Sequence, residues 1–243
     1  MHDTAEEYRR RFDELHTRGC GAVLSGSHCR DSPPVEGGRW GMSVVFLPDE
    51  MLAGQLAAVT TEALAVAGPR HWPTGYRAAV HVTVRAVDVH RAGVPDGDPL
   101  ASRCAGALER AAAVSEAVRF RLSGLTLTPS GVMVCGYPVD HAAADFGARL
   151  GAELGPDGWF EERYDRTIWY TTLVHFVDAI DDPRALVDWV ARRRDLIVGD
   201  AVFDAVDLVR FTHNGRQPVV APLARAPLRG SPATVEPAVR AAR

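Results

Sequence analysis

Ala79-Val80-His81-Val82-Thr83-Val84-Arg85 has the alternation of a β-strand, and its reading decides the fold. Valines 80, 82 and 84 fall on one face and His81, Thr83 and Arg85 on the other. The valine face suits a core. The second face sets an imidazole beside a hydroxyl, about 7 Å apart along the strand, a pair fit for proton transfer next to an anion. Ile168-Trp169-Tyr170-Thr171-Thr172-Leu173-Val174 repeats the shape, with Tyr170 standing 89 residues after His81 and Thr172 in the place of Thr83.

Working outward, the surroundings repeat too. Met42–Leu47 reads as a strand, and Pro48-Asp49 opens a helix that Gly68-Pro69 ends. Asp98-Pro99 caps a second helix, because Asp accepts first-turn N–H groups and Pro fits N1. A strand follows over 118–127. After a Pro129-Ser130-Gly131 turn come a strand over 132–137, Pro138, a helix near 140–154, the Tyr170 strand and a helix capped by Asp182-Pro183. A strand near 202–211 and, across Asn214-Gly215, a last one near 217–221 complete the pattern. Pro48 and Pro138, His81 and Tyr170, and Asp98 and Asp182 are offset by 90, 89 and 84 residues. This duplication predicts an α+β, bilobal fold with two antiparallel sheets flanking a central cleft and helices outside. Residues 1–41 form an N-terminal helix (5–18) and a loop. Residues 42–222 form one domain of two lobes, 42–128 and 131–222, between which terminal strands can exchange. Residues 223–243 form a flexible tail. The Gly-, Pro- and Ser-rich stretch 25–40 is either a surface linker or a flap over a pocket.

Composition sets bounds. The chain has 243 residues, 47% hydrophobic and 24% charged, with a net charge of −4. That charge argues against bulk electrostatic binding of long DNA or RNA, but not against a small phosphorylated ligand in a basic cleft. No apolar run spans a bilayer and the N-terminus lacks a signal-peptide pattern, so a cytoplasmic, membrane-free protein is expected, most simply a monomer. Cys20, Cys29, Cys104 and Cys135 show no CxxC spacing; Cys104 and Cys135 read as buried thiols, and neither metal nor cofactor is expected.

The paired motif His81-Val82-Thr83-Val84 and Tyr170-Thr171-Thr172-Leu173, with the lead-in Phe46-Leu47-Pro48-Asp49, resembles the two-histidine (2H) phosphoesterase superfamily, which includes bacterial 2′-5′ RNA ligases and RNA cyclic phosphodiesterases. The resemblance covers about residues 42–222. It implies metal-independent chemistry on a 2′,3′-cyclic or 2′-5′ phosphodiester of a small nucleotide or RNA end, with His81 as general acid or base and Thr83 and Thr172 holding phosphate. The second motif departs from the family, because Tyr170 replaces a histidine and tyrosine, with an ordinary pKa near 10, is a poor base at pH 7. Tyr170 can still donate a hydrogen bond. His175 lies five residues beyond it, on the opposite strand face unless a bulge intervenes. Arg85 shares the His81 face, Tyr76 and His71 precede that strand as a rim would, and Arg39 ends the loop, so these four are the candidate ligand contacts. Alternative functions are a degenerate protein that binds a nucleotide or phosphorylated small molecule without turnover, and an enzyme of small-molecule metabolism recruited on the same scaffold.

Overall fold

The computed structural model describes residues 4–161 and 166–229. Helix α1 (Ala5–Leu24) starts in a capping box, in which the Thr4 hydroxyl accepts from the Glu7 N–H and the Glu7 carboxylate accepts from the Thr4 N–H. It runs six residues beyond the expected end and buries Tyr8, Phe12 and Val23. Gly19 permits this close packing. A Cβ there would stand 2.4 Å from the Leu127 carbonyl carbon.

The duplicated order is present. Strand β1 (Met42–Phe46), helix α2 (Glu50–Ala67), strand β2 (Val82–Ala86) and helix α3 (Pro99–Ala113) precede strand β3 (Val118–Thr128). Strand β4 (Gly131–Pro138), helix α4 (Ala142–Leu154), strand β5 (Trp169–His175) and helix α5 (Pro183–Ala191) repeat the plan before strands β6 (Ile197–Phe203), β7 (Ala205–His213) and β8 (Pro218–Pro227). Asp49, Asp98 and Asp182 each cap their helix by accepting from the N–H three residues on. Two four-stranded antiparallel sheets result, ordered β2-β1-β7-β8 and β5-β4-β3-β6.

Sheet membership does not follow the sequence halves. Strand β3 lies in the second sheet, whereas β7 and β8 return to complete the first. The first sheet therefore draws on 42–86 and 205–227, and the second on 118–203, so no boundary near residue 130 separates them. The strand expected over 202–211 is two strands, broken at Asp204, where the chain passes from one sheet to the other. Phe203 and Val206 are both buried, three residues apart. A single period-two strand would have put them on opposite faces.

Residues 223–229, expected within a flexible tail, are held in the fold. Residues 223–227 extend β8, where Arg225 Nη1 lies 2.9 Å from the buried Asp207 carboxylate. Beyond the strand, Leu228 is buried and the Arg229 N–H donates to the Ser115 carbonyl. Residues 230–243 of that tail lie outside the described residues.

One core spans both sheets. Phe46 of β1 stacks on Phe203 of β6 (centroids 4.9 Å) and meets Phe120 of β3 and Phe146 of α4. Cys104 and Cys135 are buried free thiols, as expected, and burial pushes them up to about 11 and about 12. The 25–41 loop is pinned by backbone bonds from Cys29 to Pro129, Asp31 to Phe176 and Gly37 to His90. No described helix is long and apolar enough to cross a membrane.

Candidate functional site

Strands β2 and β5 bulge at equivalent places. Against β1, Val45 opposes Thr83 and Val44 opposes Arg85, which leaves Val84 as an extra residue. Against β4, Met133 opposes Thr172 and Val132 opposes Val174, which leaves Leu173 extra. Val84 and Leu173 are 89 residues apart, like His81 and Tyr170. An extra residue in one strand reverses the facing of everything after it. Arg85 is thereby turned away from His81 and Thr83, and its Nη2 donates to the Gly158 carbonyl at 2.9 Å. Ala86 and His175 are turned to the side that Thr83 and Thr172 occupy. The expectation that placed Arg85 with His81, and His175 opposite Tyr170, fails for this reason.

Between the sheets lies a cleft of ≈ 410 Å³, lined by His81 and Thr83 of β2 and by Tyr170, Thr172 and His175 of β5. That volume is ordinary for a small-molecule site. Arg39, Trp40 and Gly41 of the loop, Ser43 of β1, Phe211 of β7 and Asp88, Phe160, Glu161 and Arg166 also line it. Two expected contacts are elsewhere. His71 is buried, with its Nε2 beside the Ala67 carbonyl and its Nδ1 accepting from the Val177 N–H. The Tyr76 hydroxyl meets that of Thr61, and both His71 and Tyr76 face a separate cavity with Asp181. Arg39 is in the cleft. Among the lining residues that the strand pattern did not single out are His175, Arg166 and Trp40.

The electrostatics follow from these positions. The Nδ1–H of His81 donates to the Ala79 carbonyl at 2.6 Å, so Nε2 is the lone-pair nitrogen. Burial pushes the ring down to about 4, against the Ala79 carbonyl and with help from the charges of His175 and Arg166. His81 is thus neutral at pH 7 and able to accept a proton. Neither Thr83 nor Thr172 commits its hydroxyl to a partner among the described residues. Arg166 Nε pairs with the Glu161 carboxylate at 2.7 Å and lies beside the Tyr170 hydroxyl. The other Glu161 oxygen accepts from the Ala86 N–H, which fixes this cation to the end of β2.

On the facing wall, Asp31 contacts Arg39 Nη1 at 2.7 Å and His175 Nδ1 at 2.9 Å. The His175 contact is short enough for charge pairing but off the line of a good hydrogen bond. Burial works to raise the Asp31 carboxyl, but His175 and Arg39 together hold it below the usual carboxylate range. Two guanidinium groups, two free hydroxyls and a neutral imidazole around one cleft suit an anionic ligand that gives or takes a proton. No group of three or more His, Cys, Asp or Glu among the described residues could hold a metal ion.

The depressed His81 also has a stability consequence. The unfolded ring titrates near 6.5 and the folded one near 4. Its contribution is therefore intact above pH 6.5 and lost as pH falls from there toward 4. The ring keeps an edge open to the cleft, so the expected loss is about 1–3 kcal/mol. Urea midpoints at pH 7 and pH 4.5 should differ accordingly, and by less in His81→Gln. An equal drop in both proteins would place the acid sensitivity elsewhere.

No protein-family model matches the chain, and no curated protein matches it in sequence. Its structure does have counterparts. The protein TT0787 of Thermus thermophilus superposes with a TM-score of 0.55 at 16% identity, over 78% of this chain and 98% of that one. LigT of E. coli, in its complex with 3′-AMP, gives 0.56 at 13% identity over the same shares. A further phosphoesterase gives 0.54 at 12% identity, again over 78% and 98%. At such identities the likeness is one of fold, and the fold is that of the two-histidine phosphoesterases.

Proposed function

We propose that this chain is a phosphodiesterase that opens the 2′,3′-cyclic or 2′-5′ phosphodiester of a small nucleotide or RNA end. It works without a metal, as a cytoplasmic monomer. His81 is the general base, and the Thr83 and Thr172 hydroxyls hold the phosphate. Tyr170 donates a hydrogen bond, and Arg39 and Arg166 balance the anion.

The observation that carries this reading is the meeting, in one cleft, of a neutral imidazole from one sheet with uncommitted threonine hydroxyls from both. Taking the proton from an attacking nucleophile requires a free nitrogen lone pair, which His81 Nε2 supplies. Charge that builds on the phosphate oxygens requires donors already in place, which the threonines are. The 3′-AMP complex of E. coli LigT, a structure of the same fold, adds support for a nucleotide ligand.

The test is hydrolysis of 2′,3′-cyclic nucleotides in the presence of a chelator. His81→Ala should lower kcat/KM on the order of 10²–10⁴-fold, the usual worth of one proton-transfer group. In the parent protein, activity should persist below pH 6 and fall only as pH nears 4, where His81 takes up its proton. Tyr170, standing where the family has histidine, favours a second reading in which the cleft binds nucleotide and does not turn it over. Saturable binding with no hydrolysis at any pH would establish that reading instead.

A further inference from the structure

We propose that His175, steered by the Asp31 carboxylate, is the catalytic acid of this cleft and fills the role that Tyr170 leaves open. The inference rests on the phosphodiesterase reading above.

Four observations converge on His175. The Leu173 bulge turns it to the cleft side, with Thr172 and Tyr170. Its Nδ1 lies 2.9 Å from Asp31 Oδ2, a charge contact and not an aligned hydrogen bond, and the Asp31 backbone N–H donates to the carbonyl of Phe176, the next residue after His175. The carboxylate is thus tied to the very end of β5, and Arg39 holds its other oxygen. A carboxylate on one ring nitrogen fixes the ring and balances the charge of its protonated form. No hydrogen bond to the other nitrogen, Nε2, occurs among the described residues.

Trp40 packs edge-on against His175 with centroids 4.9 Å apart. Trp40 adopts φ 68, a left-handed conformation that is strained for a bulky residue. Its indole N–H is buried without a partner, while its carbonyl accepts from His90 Nδ1 at 3.0 Å. A strained, apolar wall against an imidazole is what positions a ring. In the other lobe the matching position holds Ala86, and that strand bulges in the same way. The fold therefore does not need an imidazole there.

A water oxygen bonds to phosphorus while its proton passes to His81 Nε2. The bond from phosphorus to the leaving ribose oxygen breaks, that oxygen keeps the electron pair, and it takes the proton from His175 Nε2. One water is consumed, a phosphomonoester forms, and proton exchange with solvent resets both rings.

An acid matters only when the leaving oxygen is a poor leaving group, and this gives the experiment. Two substrates are compared, a 2′,3′-cyclic nucleotide and the p-nitrophenyl diester of a nucleoside 5′-phosphate, whose phenolate departs unaided. His175→Gln should lose on the order of 10²-fold in kcat on the first and less than about tenfold on the second. Asp31→Asn leaves His175 in place and should show the same split in weaker form. It also covers the case in which His175→Gln does not fold, and thermal melts identify that case. Equal losses on both substrates, or no loss on either, overturn the proposal, as does a gain of about 10²-fold or more in Tyr170→His, which would mean that an acid had been missing. Those outcomes arise with an active, His81-dependent parent protein. A parent that hydrolyses neither substrate overturns the phosphodiesterase reading and this inference together.

Discussion

Phe46→Ala is expected to lower the free energy of unfolding by about 3–5 kcal/mol, the range for a fully buried phenylalanine cut to a methyl group. Phe46 is wholly buried and belongs to the first sheet, but its ring partners Phe120 and Phe203 come from the second, and Phe146 comes from α4. Its stacking on Phe203 is near-parallel, at 17°, a contact that adds to the area it buries. Removing the ring opens a void where two sheets and a helix meet, and each wall is held by its own hydrogen-bonded ladder, so collapse around the void is limited. A domain stable by about 5–15 kcal/mol would lose a large share of its margin. The cleft should feel it as well. Phe46 pairs with Val82 in the β1–β2 ladder, next to His81. Urea unfolding measures the loss, with Phe46→Leu as the milder control. A change under about 1 kcal/mol would mean that the two sheets do not share this core.

How far the sequence shows such features depends on whether the relevant force is local. The buried faces of Val80, Val82 and Val84 were legible because alternation is local. So were the Asp98 and Asp182 caps, since an Asp-Pro pair acts within one turn. The meeting of His81 with Tyr170 was legible through the repeat offset. The bulges were not. Val84 and Leu173 are apolar and buried, and each fits an unbroken strand as well as a bulged one. The extra residue shows only in the register against β1 and β4, a long-range pairing. Misplacing Arg85 and His175 followed from that one hidden feature. That terminal strands can exchange was legible, but which strand joins which sheet was not, because a strand's pattern tells which face is buried and not which sheet receives it. His71 and Tyr76 illustrate a third limit: a loop residue's neighbours depend on a path that no periodicity records.

Thr83→Val with Thr172→Val is expected to lower kcat/KM for a cyclic phosphodiester on the order of 10⁴-fold, about 10²-fold for each donor lost where charge develops. Valine keeps the shape and the strand preference of threonine, so the β2 and β5 ladders should stand and the melting temperature should change little. Both hydroxyls are free of protein partners among the described residues. Their removal therefore leaves no buried donor stranded, and the loss reports on the ligand alone. The two single variants decide how the donors work. If the threonines grip separate phosphate oxygens, the single losses multiply to the double. If they share one oxygen, the first substitution takes most of the effect and the second adds little. Inorganic phosphate binding, measured calorimetrically, should weaken in parallel. A double variant that binds phosphate and turns over substrate like its parent would move the anion site away from the threonines toward Arg39 and Arg166, and the pairing of the two motifs would then have no chemical meaning in this chain.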